Sequence, residues 1–126
     1  MTPLFLMTLF TVLMSFFNSV MDATENEPNF NESVFRNWNP KFWLKTVSWQ
    51  YARKLFGYKF DAWHIAKSLM IISFGGVVIS AVCFGANVLA MPETKWFPVA
   101  IITMPALCII WNGAFYVFYH ALFKVK

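Results

Sequence analysis

Apolar side chains along the chain gather into three long runs, broken by one polar stretch and one short turn. The first run, Met1 to Met21, carries no charge and is rich in Leu, Phe, Met and Val. A helix needs about 20 such residues to cross a bilayer. A cleaved signal peptide would begin with a basic region, and this run has no Lys or Arg; residues 1–21 are read as a first transmembrane helix. Asp22 to Glu32 follows as polar sequence with Pro28 and several Asn, the composition of a loop.

From Asn39 the pattern turns helical. Asn39 is a good N-cap, Pro40 suits a first helical position, and Gly57 is a natural stop. Trp43, Leu44, Val47, Tyr51 and Leu55 form one apolar stripe, and Phe42, Trp49 and Phe56 a second. Lys41, Lys45, Arg53 and Lys54 lie between them. The spacing predicts an amphipathic helix over about 40–56, lying at the membrane surface against headgroups or against its own bundle.

Ser68 to Met91 is a long uncharged run and the clearest spanning segment. Asp61 caps its start by accepting from free N–H groups of the first turn. Trp63 suits the water–lipid boundary, and Lys67 can snorkel there. Pro92 to Lys95 is a tight polar turn, and Trp96 to Phe123 is again uncharged apart from His120. The expected fold is an all-α integral membrane protein with three transmembrane helices (1–21, 61–91 and 97–123). An inner-side segment (22–60) carries the interfacial helix, 92–96 is an outer turn, and 124–126 an inner-side tail.

Composition agrees with that class. Hydrophobic residues make up 59% of the chain and charged residues only 13%, too little polar surface for a soluble domain of this size. Cys83 and Cys108 both fall inside apolar runs, which argues against a disulfide framework. The formal charge of +4 is segregated, and bears on threading rather than on nucleic acid. Arg36, Lys41, Lys45, Arg53, Lys54, Lys59 and Lys67 lie between the first two spans, and Lys124 and Lys126 in the tail; the outer turn has only Lys95. The rule that cations stay inside then places the N-terminus outside and the C-terminus inside a cell inner (cytoplasmic) membrane, or an organelle inner membrane as the alternative.

Candidate chemistry is sparse. His64 lies about 27 residues before the turn and His120 about 25 after it, so helical rise puts both near the inner interface. One reading is a metal or haem site with His64 and His120 as ligands and Asp61 as ligand or acceptor. The plainer one is an interfacial His pair beside a helix cap and a snorkelling lysine. Gly76 with Ser80, and Ala81 with Gly85, are small-xxx-small pairs that allow close helix approach. A nucleophile elbow, a phosphate loop, clustered cysteines and an intramembrane carboxylate pair are all absent, so no residue is assigned a catalytic role.

The run Trp38-Asn39-Pro40-Lys41-Phe42-Trp43, then Ser48-Trp49, then Asp61-Ala62-Trp63-His64 with Lys67, resembles a group of small uncharacterised membrane proteins of bacteria and their phages. These share a W-N-P-x-F-W, S-W and D-x-W-H-x-x-K arrangement, over about the middle third of this chain. The resemblance implies a recurring membrane module in which the Asn39-Pro40 and Asp61–Lys67 segments belong together. The expected role is an accessory or structural subunit of a larger membrane complex or a homo-oligomer. Trp43, Trp49, Trp63, Lys45, Arg53, Lys54 and Lys67 would contact lipid headgroups and the partner. A holin-like pore former is the alternative, and the His-ligated metal or haem site a second.

Overall fold

A computed structural model describes residues 2–51, 53–55, 57–90 and 92–125, without the side chains of Arg53, Leu55, Glu93, Thr94, Trp96, Phe97 and Ala100. Its elements, in chain order, are α1 (Thr2–Thr24), α2 (Glu27–Asn31), α3 (Pro40–Trp43) and α4 (Lys45–Tyr51), then β1 (Arg53–Leu55) and β2 (Tyr58–Phe60). The long helices α5 (Ala62–Leu89) and α6 (Glu93–Tyr116) follow, and α6 runs on into a π-helical segment, Val117–Phe123. Three stretches are long and apolar enough to cross a membrane: Thr2–Thr24, Ala62–Leu89 and Ile101–Phe123.

Helix α1 is the centre of the bundle. It packs chiefly on α5 and secondarily on α6, whereas α5 and α6 scarcely touch. Its buried side chains Met7, Thr11, Ser15, Ser19 and Ala23 recur every four residues. Small side chains in that register let helices approach closely in a membrane, where apolar burial drives little. Their hydroxyls stay satisfied: Thr11 donates to the Met7 carbonyl (2.7 Å) and Ser19 to that of Ser15 (2.8 Å). Ser15 instead reaches across, donating to the Trp111 carbonyl of α6 at 2.7 Å. Against α1, α5 buries Ser73 and Ser80. At Gly76 the Phe10 ring lies so close that an added Cβ would be 2.7 Å from its Cγ.

Two expected segments take another form. The predicted 22–32 loop is helical at both ends, with α1 continuing to Thr24 and α2 starting at Glu27. Asn26 caps α2, accepting from the Asn29 N–H at 3.0 Å, and Pro28 sits in the first turn, where no N–H is required. The predicted helix over 40–56 is not continuous. Leu44 leaves helical geometry (φ −88°, ψ 113°) between α3 and α4, and a hairpin takes over from Arg53. Gly57 turns the chain at φ 79°, a backbone conformation that glycine adopts without a Cβ penalty. Short helices are marginal unless packing holds them. Phe56, assigned to the second apolar stripe, lies outside the described residues, as do Met1, Ala52, Met91 and Lys126.

The two ends of the basic region meet. Residues 32–34 pair with the C-terminal tail, Val34 N–H donating to the Phe123 carbonyl (2.7 Å) and Val125 N–H to that of Glu32 (2.6 Å). Beneath them, Val20, Ala23, Phe30, Phe35, Leu44, Ala66 and Phe123 form the largest apolar core.

Candidate functional site

The polar part of the molecule is built around the start of α5. Asp61 takes an extended conformation (φ −135°, ψ 170°), and its Oδ1 accepts the His64 N–H at 2.8 Å, which caps the helix. Three residues on, the His64 ring returns to the same oxygen, Nδ1 to Oδ1 at 2.8 Å. Oδ2 accepts the Ser48 hydroxyl of α4 at 3.0 Å. Both Asp61 and Ser48 are fully buried. A buried carboxylate is tolerated only when its oxygens are bonded, and here three donors converge on it.

Aromatic rings and ammonium groups surround this cap. Lys45 Nζ lies 3.8 Å above the Trp63 ring while also pairing with Glu25 at 3.0 Å. Lys67 approaches the same ring at 5.1 Å. The sequence-assigned Trp63, Lys45 and Lys67 thus share one cation–π cluster, which draws α4 and the loop after α1 onto α5. Trp43 lies elsewhere, stacked on Phe35 (4.9 Å) in the apolar core. Trp49 is exposed; its ring lies 3.1 Å below Lys59 Nζ and 6.3 Å from the His64 ring. The side chain of Arg53 lies outside the described residues.

The hairpin closes the site from the other side. Tyr58 Oη donates to the His64 carbonyl at 3.0 Å and lies 2.8 Å from Ser68 Oγ, fastening β2 to the first turns of α5. Lys59 Nζ donates to the Trp49 carbonyl at 2.6 Å. Between hairpin, α4 and α5 is an open pocket of about 550 Å³, walled by Gln50, Lys54, Tyr58, Lys59, His64 and Trp49. Burial, and then the Lys54 charge opposite, hold the Lys59 ammonium below the usual lysine value. A second cavity, about 400 Å³ and apolar, opens between α1, α5 and the Trp38–Trp43 segment.

Chemically, the Ser48–Asp61–His64 set is an anchor. Ser48 and His64 both donate hydrogen bonds to the carboxylate, so the Ser48 hydroxyl is directed to Asp61 and not to the imidazole. With Nδ1 committed to Asp61, Nε2 is the imidazole nitrogen left for other partners. His120 is not part of this set. It lies on the π-helical segment with its ring against Tyr116 and Tyr119, and α1 stands between its helix and α5. Among the described residues, no group of three His, Cys, Asp or Glu is placed to hold a metal ion.

Sequence reasoning missed Ser48 as a partner of Asp61, missed Tyr58, and read Lys59 only as one of the cations that set the threading. The available signal was Gly57 as a turn residue followed by the alternating Tyr58-Lys59-Phe60, and the resulting hairpin brings Lys54 and Lys59 opposite each other. Of the small-residue pairs, Gly76 and Ser80 face α1, while Gly85 has only open space around it. Compared with family models, curated proteins and solved structures, the chain matches none.

Proposed function

We propose that the chain is an accessory subunit of a larger membrane protein complex in an inner (cytoplasmic) membrane, with its N-terminus outside and its C-terminus inside. In this reading the α5 and α6 faces turned away from α1 bind the partner. The aromatic and basic end of the molecule rests among lipid headgroups. One observation carries the proposal. The third span is almost wholly unburied, and Asn87 on α5 and Asn112 on α6 are exposed on otherwise apolar walls. Asn112 bonds only back to its own helix, at the Cys108 carbonyl (2.8 Å). An amide turned to hydrocarbon is costly, and a partner helix offering a polar group removes that cost. The threading is supported by the joining of the 32–34 segment to the tail, which brings the two basic regions to one end.

Purification from native membranes in mild detergent tests the reading. A stoichiometric larger protein should accompany the chain and be lost from an Asn87→Leu/Asn112→Leu variant. A solitary monomer of 14.6 kDa would overturn it. Collapse of the membrane potential on expression would favour a pore former instead.

A further inference from the structure

The hairpin contains an electrostatic conflict that the rest of the fold leaves unresolved. Its register sets Lys54 directly opposite Lys59. Cross-strand neighbours have Cβ atoms about 4.5–5.5 Å apart, and like charges at that distance oppose pairing. Among the described residues, no carboxylate lines the pocket these two lysines share. The nearest, Asp61, is fully buried and already accepts from Ser48 and twice from His64. Lys59 is also fixed in place, its ammonium held by the Trp49 carbonyl and ring. Gln50 adds an amide to the same wall, and His64 an imidazole whose Nε2 is uncommitted.

We infer that this pocket binds a phosphate group, carried by an anionic phospholipid headgroup, between Lys54 and Lys59 with Gln50 as a further donor. A phosphate between the two ammonium groups converts their repulsion into two charge-assisted contacts. Desolvation first and the Lys54 charge second lower the basicity of Lys59, with Asp61 opposing them only in part. At about 550 Å³ the space accommodates a headgroup, and Tyr58 ties it to the first turns of a spanning helix, where headgroups lie. The inference rests on the proposed headgroup contact, and narrows it from a diffuse basic surface to one site.

The test uses the full chain in nanodiscs of phosphatidylcholine with a minor fraction of phosphatidic acid, with retained lipid counted by native mass spectrometry. Each basic residue beside an anionic headgroup is worth roughly fivefold in affinity, so Lys54→Glu, a change of two charges, should weaken retention about 30-fold. The same substitution replaces a like-charge pair with an opposite one. The hairpin should therefore become more stable, separating lost binding from lost folding. Lys41→Glu, on the same basic segment but outside the pocket, is the control and should change retention little. Equal losses in both variants would overturn the site and leave general headgroup contact standing; no loss in either would overturn both. Glycerol phosphate in solution should not displace the lipid at millimolar concentration. Displacement would show a soluble phosphate ligand and refute the lipid assignment.

Discussion

Replacing Gly76 by alanine adds one methyl group on α5 where it meets the Phe10 ring of α1. The new Cβ would lie 2.7 Å from Cγ and Cδ1 of Phe10 and 2.8 Å from Cδ2. Carbon atoms prefer a separation of about 3.5–4.0 Å, so the ring or the helix axis must retreat by roughly 1 Å. The contact involves the base of the ring, which rotation about its own axis cannot clear. Overpacking of this kind costs about 1–3 kcal/mol. Alanine also favours a helix over glycine by about 0.8–1.0 kcal/mol, a gain that partly conceals the clash. Gly75 supplies the control, because it is on the same helix and a Cβ there meets nothing within 4 Å. Both substitutions receive the helical gain, and only Gly76→Ala meets the ring. Reversible unfolding in mixed micelles should therefore place Gly76→Ala about 1–3 kcal/mol below Gly75→Ala. Adding Phe10→Ala should remove most of that gap, as a coupling between touching residues. If the two glycine variants agree within about 0.5 kcal/mol, the close approach of α1 and α5 is not as described.

Four further outcomes are expected. Asp61→Ala should lose about 1 kcal/mol for the cap and about 1–3 kcal/mol more for the orphaned Ser48 and His64 donors, whereas Asp61→Asn should retain part of both; thermal unfolding ranks them. Tyr58→Phe should cost about 0.5–1.5 kcal/mol and speed hydrogen exchange in the first turns of α5; unchanged exchange would mean that the hairpin is not anchored there. Cysteines at position 95 should be labelled from outside intact cells and cysteines at position 67 should not, in a chain lacking Cys83 and Cys108; the reverse pattern would overturn the threading. Lys59 and Lys124 should give opposite pH slopes. Lys59 sits below 10.5 because of burial and Lys54, so its penalty lifts as pH rises through its lowered value, and wild type gains on Lys59→Met. Lys124 is raised above 10.5 by its bond to Glu32, so its contribution is complete below that value and fades above it, and wild type loses ground to Lys124→Met. Thermal midpoints from pH 8 to 11 would reveal both slopes.

The long elements were legible because each is specified locally. A long, nearly uncharged run calls for a helix in lipid whatever lies beside it, and the segments read as 1–21, 61–91 and 97–123 correspond to the apolar helices Thr2–Thr24, Ala62–Leu89 and Ile101–Phe123. The cap at Asp61 was legible for the same reason, since N2 and N3 of a helix start are always a few atoms from the capping side chain. The middle segment was not. Apolar stripes over 40–56 satisfy a helix by periodicity, but Leu44 and Gly57 permit a break and a turn. Contacts from other parts of the chain, among them Ser48 to Asp61 and Tyr58 to His64, favour the broken form.

The distance between the two histidines shows the same division. Counting residues from the 92–95 turn gives how far along its own helix each histidine lies, because helical rise is a property of the backbone alone. It carries no information about which helices are neighbours. That depends on α1, whose Thr11, Ser15, Ser19 and Ala23 let it sit between α5 and α6 and keep those helices apart. Length, hydropathy and charge thus determine which segments are long and apolar enough to cross a membrane, and where along the chain its cations gather. Side-chain fit between distant segments determines which polar groups meet: Ser48 rather than His120 beside the Asp61–His64 pair, and Lys54 opposite Lys59. Pairing across many residues of intervening chain is selected by shape and hydrogen-bond geometry in three dimensions, which a one-dimensional pattern does not contain.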